Sequence, residues 1–133
     1  MKNLVFSILV FASAATAFAQ PTEKARSMKN ILTEIQPLID TIEAQNEEIV
    51  RMELDIVKDQ KETYRQLYDS WTYGITVVGD YRVSKMGLEV YKLQDDGTWQ
   101  LKKLENAETY FATMTYKPTE VGNFKIVVKA AFQ

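Results

Sequence analysis

The sequence predicts an α+β protein: a helical segment, kinked or broken near Pro37, followed by a small antiparallel β-sandwich. Three observations carry this. All five glycines lie at or beyond Gly74, and between Thr22 and Thr63 there is neither a glycine nor an aromatic residue. Met28, Ile35, Ile42, Ile49 and Ile56 recur every seven residues. From Trp71 onward the apolar residues alternate with polar ones, the period of a half-buried strand.

The chain of 133 residues opens with Lys2 and Asn3, then an almost wholly apolar run from Leu4 to Ala19. The run ends in Ala17-Phe18-Ala19, a small-x-small pattern that signal peptidase accepts. It is shorter than the roughly 20 apolar residues that a spanning helix needs. Residues 1–19 therefore read as a cleaved signal peptide, and the mature protein as periplasmic or secreted. With no cysteine, neither a disulfide nor a lipid-bearing thiol is available, so the domain rests on its core alone. Once Lys2 is removed, 15 basic residues face 18 acidic ones, which gives no reason to expect nucleic acid or an anionic membrane as partner.

Residues 20–68 read as helical. Glycine is costly in a helix, so its absence over this stretch favours one. The heptad residues Met28, Ile35, Ile42, Ile49 and Ile56, with Ile31, Leu38 and Met52 three residues on, form an a/d seam, weakened at Gln45 and Asp59. Pro37 removes a backbone donor and pushes Gln36 from helical angles, so a kink or a full turn is expected at 35–37. A straight helix over 22–68 would be about 70 Å long, far beyond a strand of about 20 Å. The seam must fold back on the protein or meet a second chain, so a homo-oligomer through the helix is one reading.

Residues 69–133 read as β. Trp71, Tyr73, Ile75 and Val77 alternate with Thr72, Gly74 and Thr76. The same period runs through Leu88 and Val90, through Tyr110 to Tyr116, and through Phe124 to Phe132. Asp95-Asp96-Gly97 is a hairpin turn with Gly97 free to take positive φ. Strand starts near 71, 87, 98, 110 and 123 have the spacing of an antiparallel sandwich.

Leu67-Tyr68-Asp69-Ser70-Trp71-Thr72-Tyr73-Gly74-Ile75, then Gly79-Asp80, Val83, Leu88-Glu89-Val90-Tyr91 with Asp95-Asp96-Gly97, and finally Thr115 to Phe124 around Pro118 and Gly122, resemble the bacterial pre-peptidase C-terminal-type domain. The resemblance covers residues 64–133. It implies a jelly-roll-like β-sandwich, an accessory module of exported proteins. Some members bind calcium through an acidic pair before the second strand. Here that stretch reads Ser84-Lys85-Met86-Gly87-Leu88, without the carboxylates that a hard cation wants, so no metal is expected.

The absence of His and Cys removes the Ser-His-Asp and Cys-His mechanisms and the usual zinc ligand sets. No glycine-rich phosphate loop occurs, and no cofactor follows from the sequence. What remains is carboxylate chemistry: Glu47-Glu48 and Asp55/Asp59 on the expected helix, read chiefly as a solvated face. Asp95-Asp96 reads as a turn, and Ser84-Lys85 as neighbours pointing opposite ways on a strand. Tyr81, Tyr91, Trp99 and Phe111 are candidates for a ligand or partner surface, suited to carbohydrate stacking or a protein partner, with core packing as the plainer alternative. The sequence reads best as an exported, non-enzymatic accessory protein with a binding or assembly role. The alternatives are a carboxylate-only carbohydrate- or peptidoglycan-active enzyme and a purely structural coiled-coil oligomeriser.

Overall fold

The computed structural model describes residues 4–12, 29–56, 59–79 and 82–132. Its elements are β1 (Leu4–Ala12), α1 (Lys29–Ala44), β2 (Glu48–Ile56), β3 (Gln60–Leu67), β4 (Thr72–Val78), β5 (Val83–Leu93), β6 (Trp99–Ala107), β7 (Phe111–Tyr116) and β8 (Gly122–Phe132). The strands form two four-stranded sheets, ordered β2-β1-β4-β7 and β3-β8-β5-β6. β1 runs parallel to both of its neighbours, and every other pairing is antiparallel. Among the described residues the fold is thus mostly antiparallel β-sheet with one short helix.

One core joins the sheets. Tyr73, Ile75, Val77, Ala112 and Met114 from the first sheet meet Leu67, Met86, Leu88, Val90, Phe124, Ile126 and Val128 from the second. The alternation read along β4, β5, β7 and β8 is the cause, since every second residue points inward. On the other face of the first sheet, the Thr76 and Thr113 hydroxyls share a hydrogen bond of 2.9 Å across the β4–β7 pair. The β5–β6 hairpin turns at Asp95-Asp96-Gly97, where Gly97 takes φ +86°. Asp96 Oδ1 accepts from the Thr98 amide at 3.0 Å and the Thr98 hydroxyl at 2.6 Å. Those bonds favour the charged form and hold the Asp96 carboxyl below its ordinary value.

The first half of the chain differs from its expectation. The helix covers 29–44 and does not extend to 68; residues 48–56 and 60–67 are strands. Asn46 takes φ +55°, its amide bonds the Glu43 carbonyl at 3.0 Å, and the Glu47 amide bonds the Ile42 carbonyl at 3.2 Å. This pair of bonds around a left-handed residue closes the helix as a Schellman motif. Beyond it, Ile49, Val50 and Ile56 are β-branched and suit a strand. The seven-residue spacing therefore spans a helix and a strand. Ile35 and Ile42 are buried on α1 with Ile31, and Leu38, Ile39 and Ile49 pack against them. Ile49 and Ile56 belong to β2, and Met28 lies outside the described residues. The coiled-coil seam is replaced by a helix packed on its own chain.

Pro37 neither breaks nor ends α1. Its ring costs one backbone bond, worth about 3 kcal/mol in a helix interior. Ile31 and Ile35 before it and Leu38 and Ile42 after it lie on one buried stripe, so packing holds both sides in line. The Thr41 hydroxyl donates to the Pro37 carbonyl at 2.8 Å.

Leu4–Ala12, inside the stretch read as a signal peptide, occupies β1, while Ala17-Phe18-Ala19 lies outside the described residues. Among the described residues no helix is long and apolar enough to cross a membrane.

Candidate functional site

The outer face of the β3-β8-β5-β6 sheet gathers the aromatic and charged side chains. Phe124, Ile126 and Val128 of β8 point into the core, so Lys125, Val127 and Lys129 point away from it. Register then builds two rows across three strands. Tyr64 of β3 and Tyr91 of β5 flank Lys125, and Glu62 and Glu89 flank Val127. Each tyrosine donates its hydroxyl to the glutamate two residues before it: Tyr64 to Glu62 at 2.6 Å, and Tyr91 to Glu89 in a short bond.

Trp99, at the start of β6, completes the cluster. Its ring centroid lies 5.7 Å from that of Tyr64, the planes tilted by 53°. The Lys125 ammonium sits 4.9 Å from the Tyr91 centroid and 5.0 Å from that of Trp99, a double cation–π contact. It also lies 3.9 Å from Glu62, with its side chain 15% exposed. Lys125 thus acts as a post between the Tyr91 and Trp99 rings, while Tyr64, against Trp99, stays 54% exposed at the surface. Beyond Glu89, Lys129 pairs with that carboxylate at 2.9 Å. There the face dips into a hollow of about 360 Å³ bordered by Lys129, Gly87 and Asn106.

Burial of Glu89 would raise its carboxyl, but the bonds from Tyr91 and Lys129 and the charges of Lys129 and Lys125 outweigh it, and the net is a lowered value. The bond to Glu89 raises the Lys129 ammonium and the Tyr91 phenol in turn. Glu89 is therefore ionised at neutral pH with both oxygens paired inside the protein, a state that does not suit a general acid. Two strand spacings, about 9.6 Å, separate the backbones of Glu62 and Glu89 on this open face.

A pH prediction follows. Glu89 is lowered, and so is Glu53, where burial is outweighed by the Arg51 bond and the charges of Arg51, Arg65 and Lys61. A lowered carboxyl contributes stability above its unfolded value, near 4.5, and loses it as pH falls through the folded one. Urea midpoints are expected to stay level from about pH 7 to 5 and to fall below about 4.5. Glu89→Gln should flatten the acid limb. An unchanged limb in that variant would remove Glu89 as its source.

Tyr91 and Trp99, two of the four expected surface aromatics, meet here. Phe111 does not: it begins β7 in the other sheet, beside Leu38, Val78 and Tyr110. Tyr81 lies outside the described residues. Tyr64 was missed because residues 60–67 read as helix, and with it the strand pairing that brings Lys125 to the rings. The signal was the alternation Thr63, Arg65, Leu67 opposite Glu62, Tyr64, Gln66. The carboxylates expected on one helix are not on one. Glu47 follows α1, Glu48 and Asp55 belong to β2, and Asp59 precedes β3. Ser84 donates to the Ala131 carbonyl while Lys85 pairs with Glu108, so these neighbours have different partners.

No family model matches the chain, and no curated protein does. Among solved structures, a glucosidase from Croceicoccus marinus is similar at a TM-score of 0.37 and 12% identity, over 48% of this chain and 13% of that one. The chain thus spans about an eighth of that protein, and a likeness this slight carries no functional argument.

Proposed function

We propose that the protein is an exported, non-enzymatic accessory module whose jelly-roll-like β-sandwich binds carbohydrate on the outer face of the β3-β8-β5-β6 sheet. The observation that carries this is the ring cluster of Tyr64, Trp99 and Tyr91 around Lys125. Aromatic faces carry partial negative charge and suit the C–H faces of a sugar ring. Glu62 and Lys129 stand beside them as acceptor and donor for hydroxyls. Rings alone would suit any apolar partner; rings interleaved with ionised groups suit a ligand that is apolar on its faces and polar at its edges.

Export with removal of residues 1–19 would take β1 away. The strands that carry the site, β3, β8, β5 and β6, hydrogen-bond only among themselves. The test is calorimetric titration with soluble glucan and peptidoglycan oligosaccharides. A saturable change is expected with at least one of them. Trp99→Ala and Tyr64→Ala should each weaken it about tenfold, near the 1.4 kcal/mol that such a ratio represents. Trp71→Phe, on the core side, should leave affinity unchanged. Silence across the panel at millimolar sugar would sink the carbohydrate reading.

A further inference from the structure

The second feature of the molecule lies between the sheets, on the side where β2 faces β3. Ile49 packs against the helix on the outer face of the first sheet. A β-bulge follows: Phe6 is level with Ile49, but Ser7 is level with Arg51, so Val50 is the extra residue. The bulge reverses which face the next residues occupy. Arg51 comes level, across β1, with Ile75, and Glu53 with Val77, both core residues. A β2 strand without the bulge would send Arg51 and Glu53 to the helix side; with it, they belong to the inward rows.

Arg65 of β3 reaches toward them from the other sheet. Its Nη2 lies 2.5 Å from Glu53 Oε1, and Arg51 Nε donates to that same oxygen at 2.6 Å. Arg65 Nη1 donates to the Tyr64 carbonyl at 2.6 Å. Two guanidiniums thus converge on one carboxylate oxygen, leaving the group with one net positive charge. Lys61 adds to the positive field at Glu53. Behind the arginines lies a cavity of about 220 Å³, lined by Val50, Leu67, Tyr73, Ile75 and Ile126. Val50, which lines the cavity, remains 49% exposed, so the mouth opens to solvent on this side.

We infer that this cavity is a binding site for an aliphatic carboxylate, its chain lying between the sheets and its head held by Arg51 and Arg65. An apolar cavity takes an apolar chain. A planar guanidinium pair presents the forked donors that match a carboxylate, and Glu53 occupies them in part as an internal partner. The volume is below the range typical of drug-sized ligands, which selects a chain of modest length. The site is separate from the aromatic face, but it needs β1, through which β2 joins its sheet, and so belongs to the chain that retains residues 1–19.

The experiment is calorimetric titration of the full 133-residue chain with hexanoate, octanoate and decanoate below their micelle concentrations. Each added methylene should tighten binding about fourfold until the cavity is filled. The alcohol and the amine of the same length should bind about tenfold more weakly or not at all. Arg65→Ala should weaken octanoate about tenfold or more, and Arg65→Lys should recover only part of that, since it restores charge without the fork. Because Arg65→Ala could also loosen the β2–β3 side, Val50→Trp provides a second arm. It plugs the mouth from an exposed position and should abolish binding while circular dichroism and melting stay unchanged. No heat with decanoate at millimolar concentration would overturn the inference. So would affinity independent of chain length, or octanoate binding unaltered in both Arg65→Ala and Val50→Trp.

Discussion

Phe124→Ala is expected to be among the most destabilising single truncations in this protein, at about 3–5 kcal/mol. Phe124 is 1% exposed and heads the fully buried side chains by volume. It sits on β8, the strand that pairs with both β3 and β5, and its ring meets that of Tyr116 edge-on at 5.8 Å. Truncation removes ring area from the point where the sheets face each other and leaves a void that β-strands on both sides cannot close, because their hydrogen bonds hold them in place. The urea midpoint should fall sharply with little change in the slope of the transition. A loss below about 1 kcal/mol would mean that the sheets are not packed face to face at this point.

The second large effect separates two residues that one heptad would make equivalent. Ile42→Asp should cost about 4 kcal/mol or more, since Ile42 is 2% exposed within the apolar cluster under α1 and an aspartate there would be buried without a partner. Ile49→Asp should cost distinctly less, because Ile49 is only half-buried, on β2. Light scattering should report the same oligomeric state for the wild type and for every variant that folds. Equal costs at the two positions, or a wild-type dimer that both substitutions dissociate, would restore the continuous helical seam. Paired urea curves and scattering on the two variants therefore decide between the observed helix-and-strand arrangement and a coiled coil.

The β half was legible from its residues. Alternation in 71–77, 88–91, 110–116 and 124–132 placed β4, β5, β7 and β8 to within a few residues, and Asp95-Asp96-Gly97 marked the turn at which Gly97 takes positive φ. Local chemistry determines those features, because a period of two and a residue free of Cβ strain act over a few positions. The stretch from 45 to 67 was misread. Its seven-residue spacing and lack of glycine fit a helix, and the alternating burial of β3 was hidden by polar residues at Thr63 and Arg65.

The candidate site divides along the same line. Tyr91 and Trp99 could be named in advance because aromatic residues in a strand-rich half are conspicuous. That Tyr64 and Lys125 would join them depended on the register Tyr64–Lys125–Tyr91, which pairs residues about sixty and thirty positions apart. Composition also excluded histidine and cysteine chemistry without any coordinates, since a missing side chain cannot be supplied by folding. The strand assignment of β2, the bulge at Val50 and the meeting of Arg51, Glu53 and Arg65 between the sheets belong to the assembled molecule alone. Each follows from which strands become neighbours, and strand neighbours are chosen by the burial of the whole core rather than by any short run of residues.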